Sequence, residues 1–428
     1  MREMMKLSAL ACVALGLTAC AASGGSSSAG TAAKASAGGA AFQNVSGGQD
    51  WPHYRGPNSN GISSETGINK DWASKPPKLL WKVDMTDDGY SGPAVADGVV
   101  YVIDHSGDDD VIRALSLADG GELWRYAYAD AKAENNGLTR STPTVHEGKV
   151  YTMSRLGVAN CLDAKTGKVV WSRDLVADFH SQRPGWDLAC SPVIDGQNVI
   201  LCPGGENAGM VALDKDTGKT VWQGGGTTVS GYSTPLIATI GGQKQYVVFI
   251  AKGIMGVDAS NGHVLWQSPW ETSYDVNAMN PVVIGDSVFL SSGYGHGCEL
   301  LKIDGSSATA VWQSKEMQAQ FSSPILLGGY LYGTSDPGVL ECLDPKTGDT
   351  KWKQPGFEKG GCVAVDGTII AMNGSNGDIY MAAVNPDAYK ELGHIAGPLG
   401  GQSWTAPIVA QGKLIIRNTK AVGCLDLR

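Results

Sequence analysis

Short apolar runs broken by tight polar turns recur along most of the chain, a pattern typical of many short β-strands. The clearest unit is Ala212–Trp222, in which an apolar run, a polar turn and a second run follow one another. Asp214 and Thr217 can hydrogen-bond the backbone of the turn, and Gly218 can adopt a positive φ there. The unit therefore predicts a β-hairpin that ends in a tryptophan.

This hairpin recurs at a near-constant interval, which is the sequence signature of a repeat architecture. Each copy belongs to a longer unit that opens with a small or polar residue followed by proline, and a proline at a strand's first residue removes no ladder hydrogen bond. The opening pairs are Gly92-Pro93, Thr142-Pro143, Ser191-Pro192, Thr234-Pro235, Asn280-Pro281, Ser323-Pro324 and Ala406-Pro407. An eighth opening, at Gly361-Cys362, lacks the proline.

Eight units within residues 78–428 give about 44 residues each, a length typical of a four-stranded propeller blade. The last unit stops at Arg428, where its fourth strand is due, while a strand-like run, Lys78–Val83, precedes the first unit. Pairing the two would leave no open sheet edge. We therefore predict an all-β protein: an eight-bladed β-propeller with four antiparallel strands per blade, its last blade closed by the N-terminal strand.

Tryptophans recur at the end of the hairpins, and packing between neighbouring blades explains them better than chemistry does, since each buried ring covers roughly 150–250 Å². The residues predicted to dock the blades are Trp81, Trp124, Trp171, Trp222, Trp266, Trp312 and Trp352. Small residues are expected to face these rings, so Cys161, Cys342 and Cys424 are interpreted as small apolar residues. Cys190 and Cys202 flank a predicted hairpin, and a disulfide between them is left open.

The chain's first residues predict export and lipid attachment. Residues 1–19 read as a signal peptide, with an apolar run too short to span a bilayer. Leu17–Cys20 resembles the bacterial lipobox, which makes Cys20 the predicted lipidation site; an ordinary signal peptide with a chance cysteine is the alternative. Ala21 in place of aspartate favours the outer membrane, facing the periplasm. Residues 20–48 are predicted to be a flexible Ala/Gly/Ser tether, and residues 49–77 a segment packed on the propeller.

Net charge and motif content exclude several functions. The formal net charge is −9 and no cluster of Lys or Arg occurs, which argues against nucleic acid as a partner. Among familiar signatures, no haem-attachment, zinc-protease or serine-hydrolase motif is present, and no metal site or catalytic residue is predicted. The expected assembly state is a monomeric propeller.

The repeated hairpin resembles the tryptophan-docking motif of the quinoprotein-dehydrogenase-like propellers, the pyrroloquinoline quinone (PQQ)-like repeat superfamily. The segment from Trp51 to Pro57 is similar to the corresponding segment of secreted proteins with these repeats. The resemblance implies an eight-bladed propeller over residues 51–428, but it leaves activity open, because the superfamily holds both PQQ-dependent dehydrogenases and non-enzymatic lipoproteins of outer-membrane assembly. PQQ enzymes carry two adjacent cysteines, which this sequence lacks.

One face of the predicted propeller gathers aromatic and polar loop residues, because the loops that enter each blade open there. These loops carry Tyr90, Arg140, Trp186, Tyr232, Tyr274, Asp275, Asn277, Phe321 and Trp404. A second set of loops on the same face carries His105, Asp108–Asp110, Glu206, Asn207 and His296. The ring is interpreted either as a mouth for a ligand or extended peptide or as a seal of the channel. Glu206, Asn277 and Asp275 resemble the calcium ligands of PQQ enzymes.

The leading hypothesis is a non-catalytic envelope lipoprotein, without a cofactor, that acts as a scaffold for protein binding or outer-membrane assembly. Its partners would be envelope proteins or a peptide, and its lipid anchor would hold it at the membrane. The first alternative is a periplasmic dehydrogenase dependent on PQQ and Ca²⁺. The second is a lipoprotein that binds carbohydrate or peptide.

Overall fold

The computed structural model describes residues 36–37, 48–131 and 137–428. The predicted signal peptide (1–19), Cys20 and almost all of the predicted tether (20–48) lie outside the described residues. None of the described helices combines the length and apolarity needed to cross a bilayer.

Eight sheets follow one another along the chain, each with four antiparallel strands in sequential order, so the predicted eight-bladed propeller is confirmed. Blade 1 contains Ala94–Ala96, Val99–Ser106, Asp109–Ser116 and Glu122–Ala129, and blade 2 contains Thr144–His146, Lys149–Met153, Val158–Asp163 and Val169–Asp174. Blade 3 contains Val193–Asp195, Asn198–Leu201, Met210–Asp214 and Thr220–Gly224, and blade 4 contains Leu236–Ile240, Gln243–Ile250, Gly253–Asp258 and Val264–Pro269. Blade 5 contains Val282–Ile284, Ser287–Ser292, Gly297–Asp304 and Ser307–Ser314, and blade 6 contains Ile325–Leu327, Tyr330–Ser335, Val339–Leu343 and Thr350–Pro355. Blade 7 contains Cys362–Val365, Thr368–Met372, Ile379–Ala383 and Glu391–Ile395.

Blade 8 joins the two ends of the propeller. It contains Ile408–Ala410, Lys413–Arg417 and Ala421–Asp426, and its fourth strand is Leu79–Asp84. This strand runs antiparallel to Ala421–Asp426, with Trp81 opposite Cys424. The predicted closure by the N-terminal strand is confirmed: the last blade takes its fourth strand from the other end of the propeller.

Four short elements lie outside this pattern. Ser36–Ala37 pairs with the outer strand of blade 1, and Ile62–Ser63 runs parallel to the first strand of blade 7. Leu175–Asp178 is a single α-helical turn, capped by the Asp174 carboxylate, which accepts a hydrogen bond from the Ala177 N–H at 3.0 Å. Ser273–Asp275 is a 3₁₀ turn in the loop that enters blade 5.

The repeated tryptophans lie between blades and contact the hairpin turn of the next blade. The indole N–H of Trp171, for example, donates to the Lys215 carbonyl at 2.9 Å. Trp81, Trp124, Trp312 and Trp352 make the same kind of bond to the following blade. The turn glycine packs flat on the ring, and a Cβ on Gly218 would lie 2.7 Å from the Trp171 ring. The motif thus joins successive blades by a hydrogen bond and by close packing.

Two of these tryptophans depart from the pattern. Blade 5 has a short hairpin at Asp304-Gly305 in place of the longer turn, and the Trp266 N–H donates instead to Gln245 of its own blade at 2.6 Å. The indole N–H of Trp222 finds no acceptor among the described residues. The tryptophan is therefore present in each of these repeats, whereas the hydrogen bond from its indole N–H to the next blade is not.

The seven described cysteines are free and buried. Cys161, Cys342 and Cys424 lie directly opposite Trp171, Trp352 and Trp81 in their sheets. Burial raises the pKa of Cys161 to about 12 and that of Cys342 to about 11, so both stay protonated thiols. Cys190 and Cys202, the candidate pair for a disulfide, are free thiols. Burial raises the pKa of Cys202 well above its usual range.

The segment that precedes the propeller crosses the central channel. Near blades 1 and 2, Trp51 is buried and exchanges two backbone hydrogen bonds with Val95. On the far side, the Arg55 guanidinium donates to the carbonyls of Ser323 at 2.7 Å and Pro324 at 2.9 Å in blade 6. The segment thus divides the channel into a cavity at the mouth and a second, wider cavity beyond it.

Candidate functional site

The mouth of the channel holds a cavity of about 330 Å³. The loops that enter successive blades form its walls, and Trp51, Tyr54 and Arg55 of the crossing segment line its inner end. Six of the nine residues predicted for the mouth line this cavity: Tyr90, Arg140, Trp186, Tyr232, Phe321 and Trp404. The fold therefore brings together side chains that are more than three hundred residues apart in sequence.

Three aromatic rings stack along one wall of this cavity. Trp404 lies between Tyr90 and Phe321, with ring centroids 5.3 Å apart on both sides and interplanar angles of 13° and 24°. The Tyr90 hydroxyl accepts a hydrogen bond from Gln402 at 2.8 Å, which fixes the outer ring. The Lys359 ammonium lies 5.4 Å from the Trp404 centroid and 5.5 Å from the Tyr294 centroid, within cation–π range. All three stacked rings are half-buried.

Charge in the cavity is of one sign. Arg55, Arg140 and Lys359 contribute to its lining, which contains no described aspartate or glutamate, although the chain as a whole is acidic. Burial lowers the pKa of Arg140, and the charge of Asp187 acts in the opposite direction. The Arg55 guanidinium is committed to backbone carbonyls at the inner end. A ligand that combines an apolar or aromatic body with a negative charge would suit this lining.

Three predicted mouth residues do not line the cavity. Tyr274 is 74% exposed, with its ring edge against Tyr294, and Asp275 pairs with Lys252 at 2.7 Å. Asn277 is fully buried and holds its loop, donating to the carbonyls of Ile250, Ala251 and Trp270. The sequence predicted that this loop presents polar side chains to the mouth, but the Asn277 amide is used in hydrogen bonds to backbone carbonyls.

The calcium ligands suggested by the resemblance are not assembled in this arrangement. The Asn277 side-chain oxygen already accepts hydrogen bonds from Thr272 at 3.0 Å and Ser292 at 3.2 Å, which occupy both of its lone pairs. Asp275 is paired with Lys252, and Glu206 is exposed. These residues therefore do not fit a calcium ion of the PQQ-enzyme kind.

The second set of predicted loop residues lies away from the cavity. Asp108, Glu206 and Asn207 are exposed, and His296 packs edge-on against Trp270 at 4.3 Å. Burial lowers the pKa of His296. His105 and Asp110 are instead buried in blade 1, where they meet Asp130.

A buried network of charges surrounds that meeting point. The His105 ring contacts the Asp87 carboxylate through Nδ1 at 3.1 Å and the Asp130 backbone carbonyl through Nε2 at 2.9 Å. Arg155, also buried, lies 3.0 Å from the Asp130 carboxylate. Burial and the Asp130 charge raise the pKa of Asp110 well above its usual range, and burial raises that of Asp130.

Sequence reasoning missed several residues of the cavity, chiefly Lys359 and Tyr294. Both have a positive φ, 41° and 56°, which non-glycine residues seldom adopt, and the Lys359 ammonium lies over the rings of both Tyr294 and Trp404. The periodic pattern of hydrophobic residues does not predict such a backbone conformation. The lost proline of blade 7, next to Lys359, was the only local signal.

Eight blades docked by repeated tryptophans place this protein among the PQQ-like repeat propellers. The chain belongs to the family described as "Outer membrane protein assembly factor BamB", whose model matches residues 72–138 and 108–354.

Relatives of two functional kinds share stretches of this sequence. Quinohemoprotein alcohol dehydrogenase ADH-IIG of Pseudomonas putida is 30% identical over 160 residues, which cover 34% of this chain and 21% of that protein. Quinoprotein ethanol dehydrogenase of Pseudomonas aeruginosa is 24% identical over 318 residues, 64% of this chain and 49% of the relative. Outer membrane protein assembly factor BamB of Shigella dysenteriae is 29% identical over 140 residues, 31% of each chain. Each match thus spans less than half of the relative's own length.

Solved structures of both kinds share the fold. BamB from Moraxella catarrhalis superposes with a TM-score of 0.60 at 19% identity, covering 82% of this chain and 98% of that one. The alcohol dehydrogenase ADHIIG of Pseudomonas putida gives 0.64 at 15% identity, with 88% and 80% covered. These likenesses concern the architecture and leave the activity open.

Proposed function

We propose that this protein is a non-catalytic scaffold of the cell envelope that binds a partner protein through the mouth of its propeller. The observation that carries the proposal is the cavity lining: a stack of three aromatic rings beside Arg140 and Lys359, without a described carboxylate. Such a surface favours an extended segment with an aromatic or apolar residue and an acidic side chain. The kinship with outer-membrane assembly factors supports a partner in the envelope.

Variants of the mouth test this proposal. Trp404→Ala removes the central ring of the stack, and Lys359→Glu reverses the charge above it; Lys346→Glu, in an exposed turn of blade 6, makes the same charge change elsewhere. A photoreactive amino acid at Phe321 is expected to crosslink an envelope protein in living cells. Adding Trp404→Ala or Lys359→Glu should reduce the adduct at least fivefold, and Lys346→Glu should leave it unchanged. Equal adducts in all variants would refute binding at the mouth.

A carbohydrate ligand for the same mouth is an alternative to this proposal. Sugars also stack on exposed aromatic rings, but neutral sugars gain little from Lys359. Oligosaccharides that bind equally well to wild type and to Lys359→Glu, but poorly to Trp404→Ala, would favour carbohydrate over an acidic protein segment.

The second candidate function is a PQQ-dependent dehydrogenase, favoured by the quinoprotein relatives and by the basic, aromatic cavity. Arg140 and Lys359 are the residues that would contact a flat polycarboxylate there. Asn277, Asp275 and Glu206 do not form the calcium site that such an enzyme requires. Titrating purified protein with PQQ, with and without Ca²⁺, separates the two functions: cofactor absorbance that survives gel filtration, or oxidation of alcohols with an artificial electron acceptor, would replace the scaffold proposal.

We also propose that Cys20 carries the lipid that holds the protein at the membrane. The supporting observation is the lipobox-like sequence before it. Radiolabelled palmitate should enter the wild-type protein and not Cys20→Ser, and the variant should move from the membrane to the soluble periplasmic fraction. Equal labelling of both proteins would contradict the proposal.

A further inference from the structure

A cluster of buried side chains that could bind a metal ion lies in blade 1, outside the mouth cavity. His105, Asp110 and Asp130 come from three consecutive strand ends of this blade. One ligand atom from each lies within 4.8 Å of the others, and all three residues are at most 2% exposed. Neighbouring ligands on one ion with bonds of about 2.1 Å lie about 3–3.6 Å apart. A modest inward shift of these side chains would therefore bring the three atoms into one coordination sphere.

The Asp110 carboxylate supplies an independent sign that something is bound here. Its Oδ2 accepts a hydrogen bond from the Tyr128 hydroxyl at 3.1 Å, but its Oδ1 accepts none among the described residues. Asp110 is 1% exposed, so water does not reach it from the surface. A buried carboxylate oxygen without a partner costs free energy, and a cation is the natural partner for it.

The His105 contacts fit the same ligand. The ring lies between two oxygen atoms, with Nδ1 at 3.1 Å from the Asp87 carboxylate and Nε2 at 2.9 Å from the Asp130 carbonyl. In the tautomer that donates Nδ1–H to Asp87, the Nε2 lone pair is available to bind a cation. The Asp87 carboxylate would then orient the ring through Nδ1, as carboxylates commonly do behind metal-bound histidines.

We propose that His105, Asp110 and Asp130 form a binding site for a divalent transition-metal ion of the Zn²⁺ or Mn²⁺ type. One imidazole with two carboxylates suits these ions better than Ca²⁺ or Mg²⁺, which prefer oxygen ligands throughout. Arg155 stays at 3.0 Å from the Asp130 carboxylate and limits the negative charge that the ion must balance.

The site would restrain two loop segments of the mouth. Asp87 lies three residues before Tyr90, and Asp130 precedes the described segment 137–140, which carries Arg140. The two loops already bond to each other, Tyr90 N–H to the Thr139 carbonyl at 2.7 Å and Leu138 N–H to the Asp88 carbonyl at 2.9 Å. An ion at their common base would hold Tyr90 and Arg140 in place from outside the cavity.

Metal binding is measured directly on the purified full chain. After removal of bound metal with a chelator, Zn²⁺ and Mn²⁺ are titrated calorimetrically, and metal content is determined after gel filtration. We expect one ion per chain and a higher unfolding temperature with the ion bound. Co²⁺ in place of Zn²⁺ should give visible absorption bands that change in His105→Gln. Preference for Ca²⁺ over both transition metals would contradict the proposal.

Matched variants locate the ion. Asp110→Asn keeps the volume and the acceptor for Tyr128 but loses the charge, and affinity should fall at least tenfold. Asp109→Asn changes the exposed carboxylate next to it and should bind as wild type does. His105→Gln is the second ligand variant, for use if Asp110→Asn does not fold. Unchanged affinity in a folded ligand variant, or no stoichiometric ion in wild type, would overturn the site.

Discussion

At the scale of single residues, the repeat is defined by a contact between a glycine and a ring. Gly218 combines a φ of +69° with a Cβ position 2.7 Å from the Trp171 ring, so both backbone and packing exclude a side chain. Gly196, in the turn between the first two strands of blade 3, has a φ of +60° with open space around it. The two glycines share a conformation and differ in their surroundings.

These two glycines allow the packing contribution to be measured. Gly196→Ala should lower the free energy of unfolding by about 1 kcal/mol, because it adds backbone strain alone. Gly218→Ala should cost about 2–4 kcal/mol, since the new methyl must also push the Trp171 ring out of place. Denaturant titration of both variants gives the difference. Equal losses would show that the ring does not constrain the glycine.

A buried carboxylate in blade 5 predicts a dependence of stability on pH. Burial raises the pKa of Glu299, and its hydrogen bond from Gln313 at 3.0 Å only partly offsets this. A raised folded-state pKa gives stability that is complete below the unfolded value and is lost as the pH rises through the folded value. Glu299→Gln should therefore be more stable than wild type at about pH 7, and this advantage should vanish below about pH 4.

Glu122 provides the control of opposite sign. Burial raises its pKa, but hydrogen bonds from Arg125 and the charge of Arg113 outweigh this and leave the pKa lowered. Its contribution to stability is present above the unfolded value and is lost as the pH falls. Glu122→Gln should lose stability near neutral pH. Unfolding curves measured across this pH range that show the same sign for both variants would contradict the assignment.

At the scale of elements, the position of the crossing segment depends more on contacts with residues distant in sequence than on a local sequence pattern. Its attachment depends on Arg55, which is half-buried and donates to the carbonyls of Ser323 and Pro324, more than 250 residues away. Pairing between the Gly61 carbonyl and the Ala364 N–H at 2.9 Å continues the contact into blade 7. The segment is therefore tied to the far side of the channel by a few polar contacts, and these can be broken singly.

Arg55→Met should release this segment while the propeller stays folded. The change leaves the Ser323 and Pro324 carbonyls without their donors, at a cost of about 1–3 kcal/mol each. Amide hydrogen exchange in residues 51–63 should then accelerate at least tenfold. Lys70→Met removes a half-exposed ion pair to Asp366 (3.1 Å) and should change exchange little. Unchanged exchange in Arg55→Met would mean that other contacts hold the segment.

Prediction from sequence succeeded for the elements and only in part for the site, for a physical reason. The blades follow from hydrophobic period and turn chemistry, which are local and repeated eight times. The cavity depends on side chains placed once, such as Lys359, whose positive φ no periodic pattern encodes. Asn277 shows the converse: a polar residue in the expected loop whose hydrogen-bonding groups are all taken by its surroundings. Residue type marked the face, and long-range contacts decided which side chains line the cavity.

At the scale of the whole molecule, ring closure depends on one strand that comes from the other end of the propeller. Leu79–Asp84 pairs with Ala421–Asp426 by backbone hydrogen bonds, whereas neighbouring blades elsewhere meet mainly through side chains. The ends of the described body are close: the Leu427 N–H donates to the Gly412 carbonyl, and the Gln411 N–H to the Gln49 carbonyl, both at 3.1 Å. A short linker can therefore join residue 428 to residue 49.

Two circular permutants of residues 49–428 then isolate the contribution of closure. Opening the chain at Asp87 leaves every blade continuous, so that no blade combines strands from both ends of the chain. Opening it at Gly305, in the short hairpin of blade 5, moves the shared blade there and keeps closure by strand pairing. Both permutants have the same composition and linker, so a difference in unfolding reports the closure. We expect the Asp87 permutant to unfold at lower denaturant concentration and in a broader transition, because blades next to its open boundary can separate before the rest. Coincident transitions for both permutants would show that blade packing closes the ring without a shared strand.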